Sequence, residues 1–293
     1  MTERRFDATA AEVRRALDGV YETLPADGAL WRCRAGPYRT PVELRLEDGP
    51  VVVARASIVP APELTGGLAR AILFEHDSLI FGRFVHADGA IQVEQGIVGG
   101  HTMDDVEVRL AVWGIGWAAG AYRQRWERHL EGGAVLGGDP VAGVAPRRGA
   151  EDRVASTQAR VERFLREHYG SFAFDEAWGY HGAFGSTRVF VSVRHALETT
   201  TVVLIASPVL SGVTLADELA LDAVGVVAAR PFGRFAFSAD RGELWAEHAI
   251  VGDDLDPEEL IAAIDAVAAL GDGEDERLQQ AYGGKRYADL TGG

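Results

Sequence analysis

Hydrophobic residues recur with helical spacing near the start of the chain and again in its second half. Val13 and Leu17 lie on one face of a predicted helix whose other face carries charged residues. Val161 and Leu165 repeat this spacing ahead of Gly170, a residue typical of helix ends. Each half of the chain is therefore predicted to open with an amphipathic helix.

Alternating apolar and polar residues follow each of these helices. Residues 42–46 place Val and Leu at every second position between charged residues, which predicts a half-buried strand. Asp48-Gly49 predicts a hairpin turn after that strand. Residues 189–193 show the same alternation with valine, and the more apolar run 202–205 predicts a further strand.

The remaining pattern predicts two more helices in each half. The first spans 62–76 or 214–229, and a long last helix begins after Asp104-Asp105 or after Asp256. The predicted order in each half is α-β-β-β-α-β-β-α. Five strands in hairpin-rich groups predict an α+β fold with antiparallel sheets and helices packed on one side.

The two halves also resemble each other in sequence. Phe81–Phe84 reads Phe-Gly-Arg-Phe and recurs as Phe232–Phe235, and Ile97–Gly99 recurs as Ile250–Gly252. Further matches keep the same order at a nearly constant spacing, which indicates a tandem duplication. We expect the copies to form an intramolecular pseudo-dimer with pseudo-twofold symmetry, so that the chain can act as a monomer.

Composition shifts mark the predicted domain boundaries. Residues 132–155 include a stretch rich in glycine and proline with little apolar periodicity, which is typical of a linker. The prediction is a first copy over 1–131, a linker over 132–155 and a second copy over 156–293.

Composition and charge narrow the classes of partner. The 293 residues are 47% hydrophobic and 25% charged, as in a globular protein, with a formal net charge of −15. Such a charge disfavours nucleic acid as a partner. The longest uncharged apolar run, 110–122, is shorter than the about 20 residues that a membrane-spanning helix needs. We therefore expect no membrane insertion. Cys33 is the single cysteine, which fits a protein of the reducing cytoplasm, where we expect it.

Two motifs resemble ligand sites, but neither has the required context. Gly114-Ile115-Gly116 is close to a dinucleotide-binding fingerprint, yet it lies inside a predicted helix rather than in the turn before one. His101 stands near Asp104 and Asp105, but no second histidine follows at the spacing that a metal site uses. We therefore predict no cofactor and no metal.

Histidines are the remaining candidates for catalysis. His181, His195 and His248 lie on predicted strands, and Glu247 precedes the last of them. Adjacent residues on a strand point to opposite faces, so Glu247 and His248 cannot serve one site. No catalytic residues are assigned, and a hydrolase that uses these histidines remains an alternative.

Aromatic residues supply the candidates for partner binding. Trp113 and Trp117 are four residues apart on the last helix of the first half. Phe235, Phe237 and Trp245 lie on the last hairpin of the second half. These five aromatics belong either to the core or to a surface that binds a partner.

Four runs in the second half resemble the YbjN and type III secretion chaperone-like superfamily, and most closely its actinobacterial branch of peptide-binding chaperone-like proteins. These runs are Val189–Val193, Ala206–Leu210, Phe232–Phe235 and Ala281–Gly284. The resemblance implies a small α-β-β-β-α-β-β-α domain that works as a dimer and binds peptides or partner proteins. It brings no catalytic residues to this chain.

The resulting hypothesis is a non-enzymatic chaperone-like or adaptor protein that binds a peptide or protein client in a groove or on a sheet face. The alternative is a regulatory or signalling scaffold of the YbjN type that holds no client. The first half lacks the Gly-Gly-Lys-Arg sequence found at 283–286, so the resemblance does not imply equal binding roles for the two halves.

Overall fold

The computed structural model describes residues 2–21, 23–24, 29–47, 51–99, 103, 105–133, 150–196, 200–228 and 230–291. The chain divides into two compact units. The first unit comprises Met1–Leu64 and Gly82–Leu136, and the second comprises Thr65–Phe81 and Gly137–Gly293.

Helices and strands alternate in a similar order in the two parts of the chain. The helices are α1 (Thr2–Leu17), α2 (Gly66–Ser78), α3 (Asp105–Leu130), α4 (Ala150–His168), α5 (Asp217–Ala228), α6 (Pro257–Tyr282) and α7 (Tyr287–Thr291). The first six strands are β1 (Thr23–Leu24), β2 (Leu30–Ala35), β3 (Thr40–Glu47), β4 (Val51–Pro60), β5 (Arg83–Ala87) and β6 (Ala90–Val98). The other six are β7 (Ala173–Asp175), β8 (Gly179–Phe184), β9 (Thr187–Ala196), β10 (Thr200–Ser211), β11 (Arg234–Ser238) and β12 (Glu243–Val251).

The first unit is an antiparallel sheet with the long helix α3 on one face. The strand order is β1-β2-β3-β4-β6-β5, and α3 packs on β2, β3, β4 and β6. Phe84 makes edge-to-face contacts with Tyr122 and Trp126 of α3, at ring-centroid distances of 4.9 and 5.4 Å. These three side chains are almost fully buried and anchor the helix to the sheet.

The second unit repeats this sheet order as β7-β8-β9-β10-β12-β11. Helices α4 and α6 pack on β9 and β10. Thr157 of α4 hydrogen-bonds Thr201 of β10, at 3.1 Å. A Cβ atom on Gly271 of α6 would lie 2.5 Å from the Ser207 Oγ. Thr201 and Ser207 share one face of β10, so both helices cover the same side of the sheet.

The predicted fold class is confirmed: this is an α+β chain with two antiparallel sheets and helices alongside them. The long last helices begin near the predicted residues, and Asp256 caps α6 by accepting a hydrogen bond from the Glu259 amide at 2.9 Å. Each sheet has one more strand than predicted, the short edge strand β1 or β7. Strands of two or three residues are too short to show the alternation on which the prediction relied.

Helix α2 packs in the second unit, although it lies within the predicted first copy. It contacts α5 and β11, and Phe74 meets Phe237 edge-to-face with 5.7 Å between ring centroids. His76 Nδ1 hydrogen-bonds the Phe235 carbonyl at 2.6 Å. Residues 65–81 therefore belong to the second compact unit, although the predicted first copy of 1–131 includes them.

Three further predictions concern a hairpin turn, the linker and the absence of membrane-spanning helices. The Asp48-Gly49 turn and residues 134–149 of the predicted linker lie outside the described residues. Helix α4 begins at Ala150, inside the predicted linker of 132–155. Among the described residues, no helix combines the length and apolarity that crossing a membrane requires.

Candidate functional site: the groove on the second sheet

The open face of the second sheet lies opposite α4 and α6, and strand alternation decides which residues reach it. On β9, Val189 and Val191 are fully buried on the helix side, so Phe190 between them points to the opposite face. The antiparallel register extends this position into a row across five neighbouring strands, which consists of His181, Phe190, Ala206, Glu247 and Arg234.

Three aromatic side chains form a cluster on this face. Trp178, in the turn between β7 and β8, stacks on Trp245 of β12 with 6.1 Å between centroids and 14° between planes. Phe190 lies 5.6 Å from Trp178 and 6.1 Å from Trp245. Asp175 holds the turn by accepting hydrogen bonds from the Ala177 and Trp178 amides, at 2.8 and 3.1 Å. Trp178 remains 47% exposed, so the cluster presents an apolar surface to solvent.

Three adjoining cavities run across the open face from this cluster. Their volumes are about 340, 330 and 540 Å³. The aromatic cluster lines both the first and the second cavity. Arg194, Leu204, Arg241 and Glu247 line both the second and the third. We call this continuous depression the sheet groove, and its two ends the aromatic end and the arginine end.

A buried ion pair marks the arginine end. The Arg234 guanidinium contacts the Glu247 carboxylate at 2.9 Å and also donates a hydrogen bond to the Leu79 carbonyl. Burial raises the pKa of Glu247, while the neighbouring Arg234 opposes that rise. Asp77 shows the same balance: burial raises its pKa, and Arg241 and Arg234 act against the rise. Each of these two carboxylates thus interacts electrostatically with a nearby arginine.

Residues 79–81, which follow α2, cover parts of β10 and β12 next to the arginine end. Ile80 and Phe81 pack against buried Val202 and Ala249 and against Leu204. Together with the hydrogen bond from Arg234 to the Leu79 carbonyl, this contact holds residues 79–81 of the chain against the face. Apolar side chains lie on the strands while a buried arginine binds a backbone carbonyl.

The aromatic end is completed by the C-terminal segment. Tyr287 of α7 lies 6.4 Å from Phe190 between ring centroids, and the Arg188 guanidinium stands 5.5 Å above the Tyr287 ring. Lys285 lines the same cavity. Its backbone amide and carbonyl both hydrogen-bond Ser211, at 2.9 and 2.8 Å. Aromatic surface and two cationic side chains therefore meet at this end.

The corresponding face of the first sheet is polar. The same register places Arg32, Glu43 and Arg55 where the second sheet has His181, Phe190 and Ala206. Gln92 stands at the position of Trp245. Arg32 pairs with Glu43 at 2.7 Å, and Glu94 pairs with both Arg55 and Arg83. The Arg83–Glu94 pair matches the Arg234–Glu247 pair of the second sheet, so the two faces differ where Arg32, Glu43 and Arg55 replace His181, Phe190 and Ala206.

The five aromatics predicted to bind a partner fall in three different places. Trp113 and Trp117 are half-buried on α3 in the first unit. Phe235 and Phe237 are buried beneath α2, where Phe237 contacts Phe74. Of the five, Trp245 lies in the sheet groove.

The candidate histidines do not converge. His181 lines the aromatic end, and His195 lines the cavity at the arginine end. His248 lies on the opposite face, where its Nδ1 accepts a hydrogen bond from the Gly233 amide at 3.4 Å and its ring contacts Phe232. Glu247 instead lines the sheet groove, as strand alternation predicts.

Sequence reasoning missed several residues of the groove, namely Trp178, Phe190, Arg188, Lys285 and Tyr287. One usable signal was Phe190, a large aromatic at a position where alternation with buried valines predicts an exposed polar residue. The others come together only through strand pairing and the placement of α7, which no local pattern encodes.

Residues 155–290 match the family TY-Chap1, described as "T3SS (YopN, CesT) and YbjN peptide-binding chaperone 1". The resemblance to the YbjN and type III secretion chaperone-like superfamily is thereby confirmed for this segment. The match supports a peptide-binding, chaperone-like role in general for this segment. A search of curated proteins found no match.

Proposed function

We propose that this protein binds short polypeptide segments of a client protein in the sheet groove and acts on them as a chaperone or adaptor, without chemical change. The observation that carries the proposal is the aromatic cluster of Trp178, Phe190 and Trp245 on the open face, where buried Trp245 and half-buried Phe190 support the exposed Trp178 ring. Aromatic anchors in a groove are the usual source of binding free energy at peptide sites.

The unequal faces of the two sheets support binding in the second unit. A peptide that covers the face of the first sheet would have to displace or bury the Arg32–Glu43 pair, which costs desolvation free energy. At the aromatic end of the groove on the second sheet it would cover apolar surface instead. The aromatic end of the groove also lies within the residues that match the peptide-binding family.

A substitution at Trp178 tests the proposal. Peptides are first selected on the intact protein from a random-sequence display library, and their affinities are then measured by isothermal titration calorimetry. Because Trp178 is largely exposed, Trp178→Ala should leave the fold intact and weaken binding about tenfold. Tyr38→Ala removes a comparably exposed aromatic from the first unit (58% exposed) and should have no effect.

A third variant addresses the other aromatic surface predicted to bind a partner. Trp113→Ala changes the half-buried stripe on α3. Under the proposal it leaves peptide affinity unchanged. Weaker binding by Trp113→Ala together with unchanged binding by Trp178→Ala would move the site to α3 and contradict the proposal.

A further inference from the structure

At the aromatic end of the sheet groove, the acidic side chains differ from the basic side chains in how many partners they have. The two carboxylates that line its cavity, Asp175 and Glu243, already have partners. Asp175 accepts two backbone amides of its own turn. Glu243 accepts the Trp245 indole hydrogen bond at 3.0 Å and pairs with Arg241 at 3.2 Å. These acidic groups therefore have little capacity left for a ligand.

The two basic side chains that line this cavity are Arg188 and Lys285. Among the described residues, neither Arg188 nor Lys285 forms an ion pair, and Arg188 Nε is shielded from solvent with no hydrogen-bond partner. A donor shielded in this way costs free energy until an acceptor reaches it. The contact of the Arg188 guanidinium with the Tyr287 ring fixes its plane without supplying that acceptor.

The chain positions Lys285 for this cavity by a specific turn. Gly283 and Gly284 have φ values of 77° and 84°, in the left-handed region that glycine tolerates best. The turn brings Lys285 into a backbone bridge with Ser211. Lys285, the single lysine of the chain, therefore reaches the cavity from a fixed backbone.

We infer that the client segment held in the groove carries an aspartate or glutamate beside an apolar side chain, and that its carboxylate binds Arg188 and Lys285 at the aromatic end. This inference rests on the proposed function. The apolar side chain would pack on Trp178, Phe190 and Trp245, while the carboxylate supplies the acceptor that Arg188 lacks. Charge-assisted hydrogen bonds of this kind are stronger than neutral ones.

The proposed preference for an acidic residue in the client segment depends on short-range contacts. The protein carries a net charge of −15, so its overall field repels an acidic peptide. At about 0.1 M salt that field is screened over about 10 Å, whereas contacts inside the groove persist. The test is therefore made at moderate ionic strength.

The experiment selects peptides on the intact protein from a library of random segments displayed within a carrier protein, so that no peptide offers a free C-terminal carboxylate. Enriched sequences should combine an aromatic or aliphatic residue with a nearby acidic residue. A synthetic, C-terminally amidated peptide of this kind should bind about tenfold more tightly than its Glu→Gln analogue.

A double variant assigns the preference to the two cations. Arg188→Gln with Lys285→Gln should bind the Glu and Gln peptides with nearly equal affinity. The matched control is Arg163→Gln with Arg166→Gln, which removes the same charge from exposed positions on α4. The control should retain the full preference for the acidic peptide.

The outcomes separate this inference from the proposed function. Selected peptides that are neutral or basic, or a Glu preference that survives in the double variant, would overturn the inference while leaving peptide binding in place. Failure to enrich any peptide on the intact protein would overturn both.

Discussion

Gly116 shows how a single residue sets the distance between helix and sheet in the first unit. A Cβ atom at this position of α3 would lie 2.8 Å from the Ala35 carbonyl oxygen and 2.9 Å from the Ala35 Cβ. The glycine pattern at 114–116 therefore permits close approach of a strand end.

Gly116→Ala should lower the free energy of unfolding by about 1–3 kcal/mol, because the backbone of Ala35 would have to move. Gly225→Ala is the matched change on α5, where no described heavy atom lies within 4 Å of the added carbon. It should raise stability by about 0.5–1 kcal/mol through helix propensity. Chemical denaturation of both variants measures the two shifts. A stable Gly116→Ala protein would contradict the close packing.

Cys33 should be unreactive in the folded protein. It is 1% exposed, and burial raises the pKa of its thiol to about 12. At pH 8 a thiol reagent should label it only in denaturant, and rapid labelling of the folded protein would contradict its burial. The unfolded thiol ionises near pH 9 and the folded thiol does not. The contribution of Cys33 to stability should therefore fall as pH rises from about 9 towards 12.

At the scale of elements, α2 has the most consequential packing. Its N-terminus is capped by Thr65, whose Oγ1 accepts a hydrogen bond from the Leu68 amide at 3.2 Å. Its contacts with β11 and α5 then assign it to the second unit. The chain therefore contributes residues 65–81 to a unit whose other residues begin at Gly137.

Hydrogen exchange can verify this assignment. Phe237→Ala removes the contact with Phe74 and should cost about 3–5 kcal/mol at a buried aromatic. Exchange should rise in residues 66–78 and leave 105–130 protected. Phe84→Ala is the counterpart in the first unit and should raise exchange in 105–130 instead. Loss of protection in α3 on Phe237→Ala, with α2 unchanged, would refute the assignment.

Local patterns predicted elements well and partners poorly. The alternation at 42–46 predicted β3, because one face of that strand is buried and the other is not. The pattern of α2 showed where the helix lies but not which sheet it packs on, because an apolar face specifies burial without specifying a neighbour. The sheet groove was missed for the same reason, since Trp178, Phe190 and Trp245 meet only through strand register.

At the scale of the whole molecule, the two sheets share one strand order and differ in the chemistry of one face. A register shift also occurs at matching places, between Ser57 and Val59 and between Pro208 and Leu210. Descent of both halves from one duplicated unit, as the repeated motifs indicate, stays a prediction.

Net charge predicts how stability responds to salt. With −15 charges, self-repulsion disfavours the compact state, and added salt screens it. Raising NaCl from about 0.02 M to about 0.3 M should increase the melting temperature at pH 7 by a few degrees, since exposed ion pairs contribute little. Thermal unfolding followed by circular dichroism measures this shift. A lower melting temperature in salt would show that attractive charge pairs dominate instead.

Tryptophan indole resonances can show whether a client peptide occupies the face of the second sheet. The chain has six tryptophans, of which Trp178 and Trp245 lie in the sheet groove. On titration with a selected peptide, we expect the indole N–H signals of these two residues to shift while those of the other four tryptophans stay in place. Shifts at Trp113 and Trp117 with Trp178 and Trp245 unchanged would contradict it.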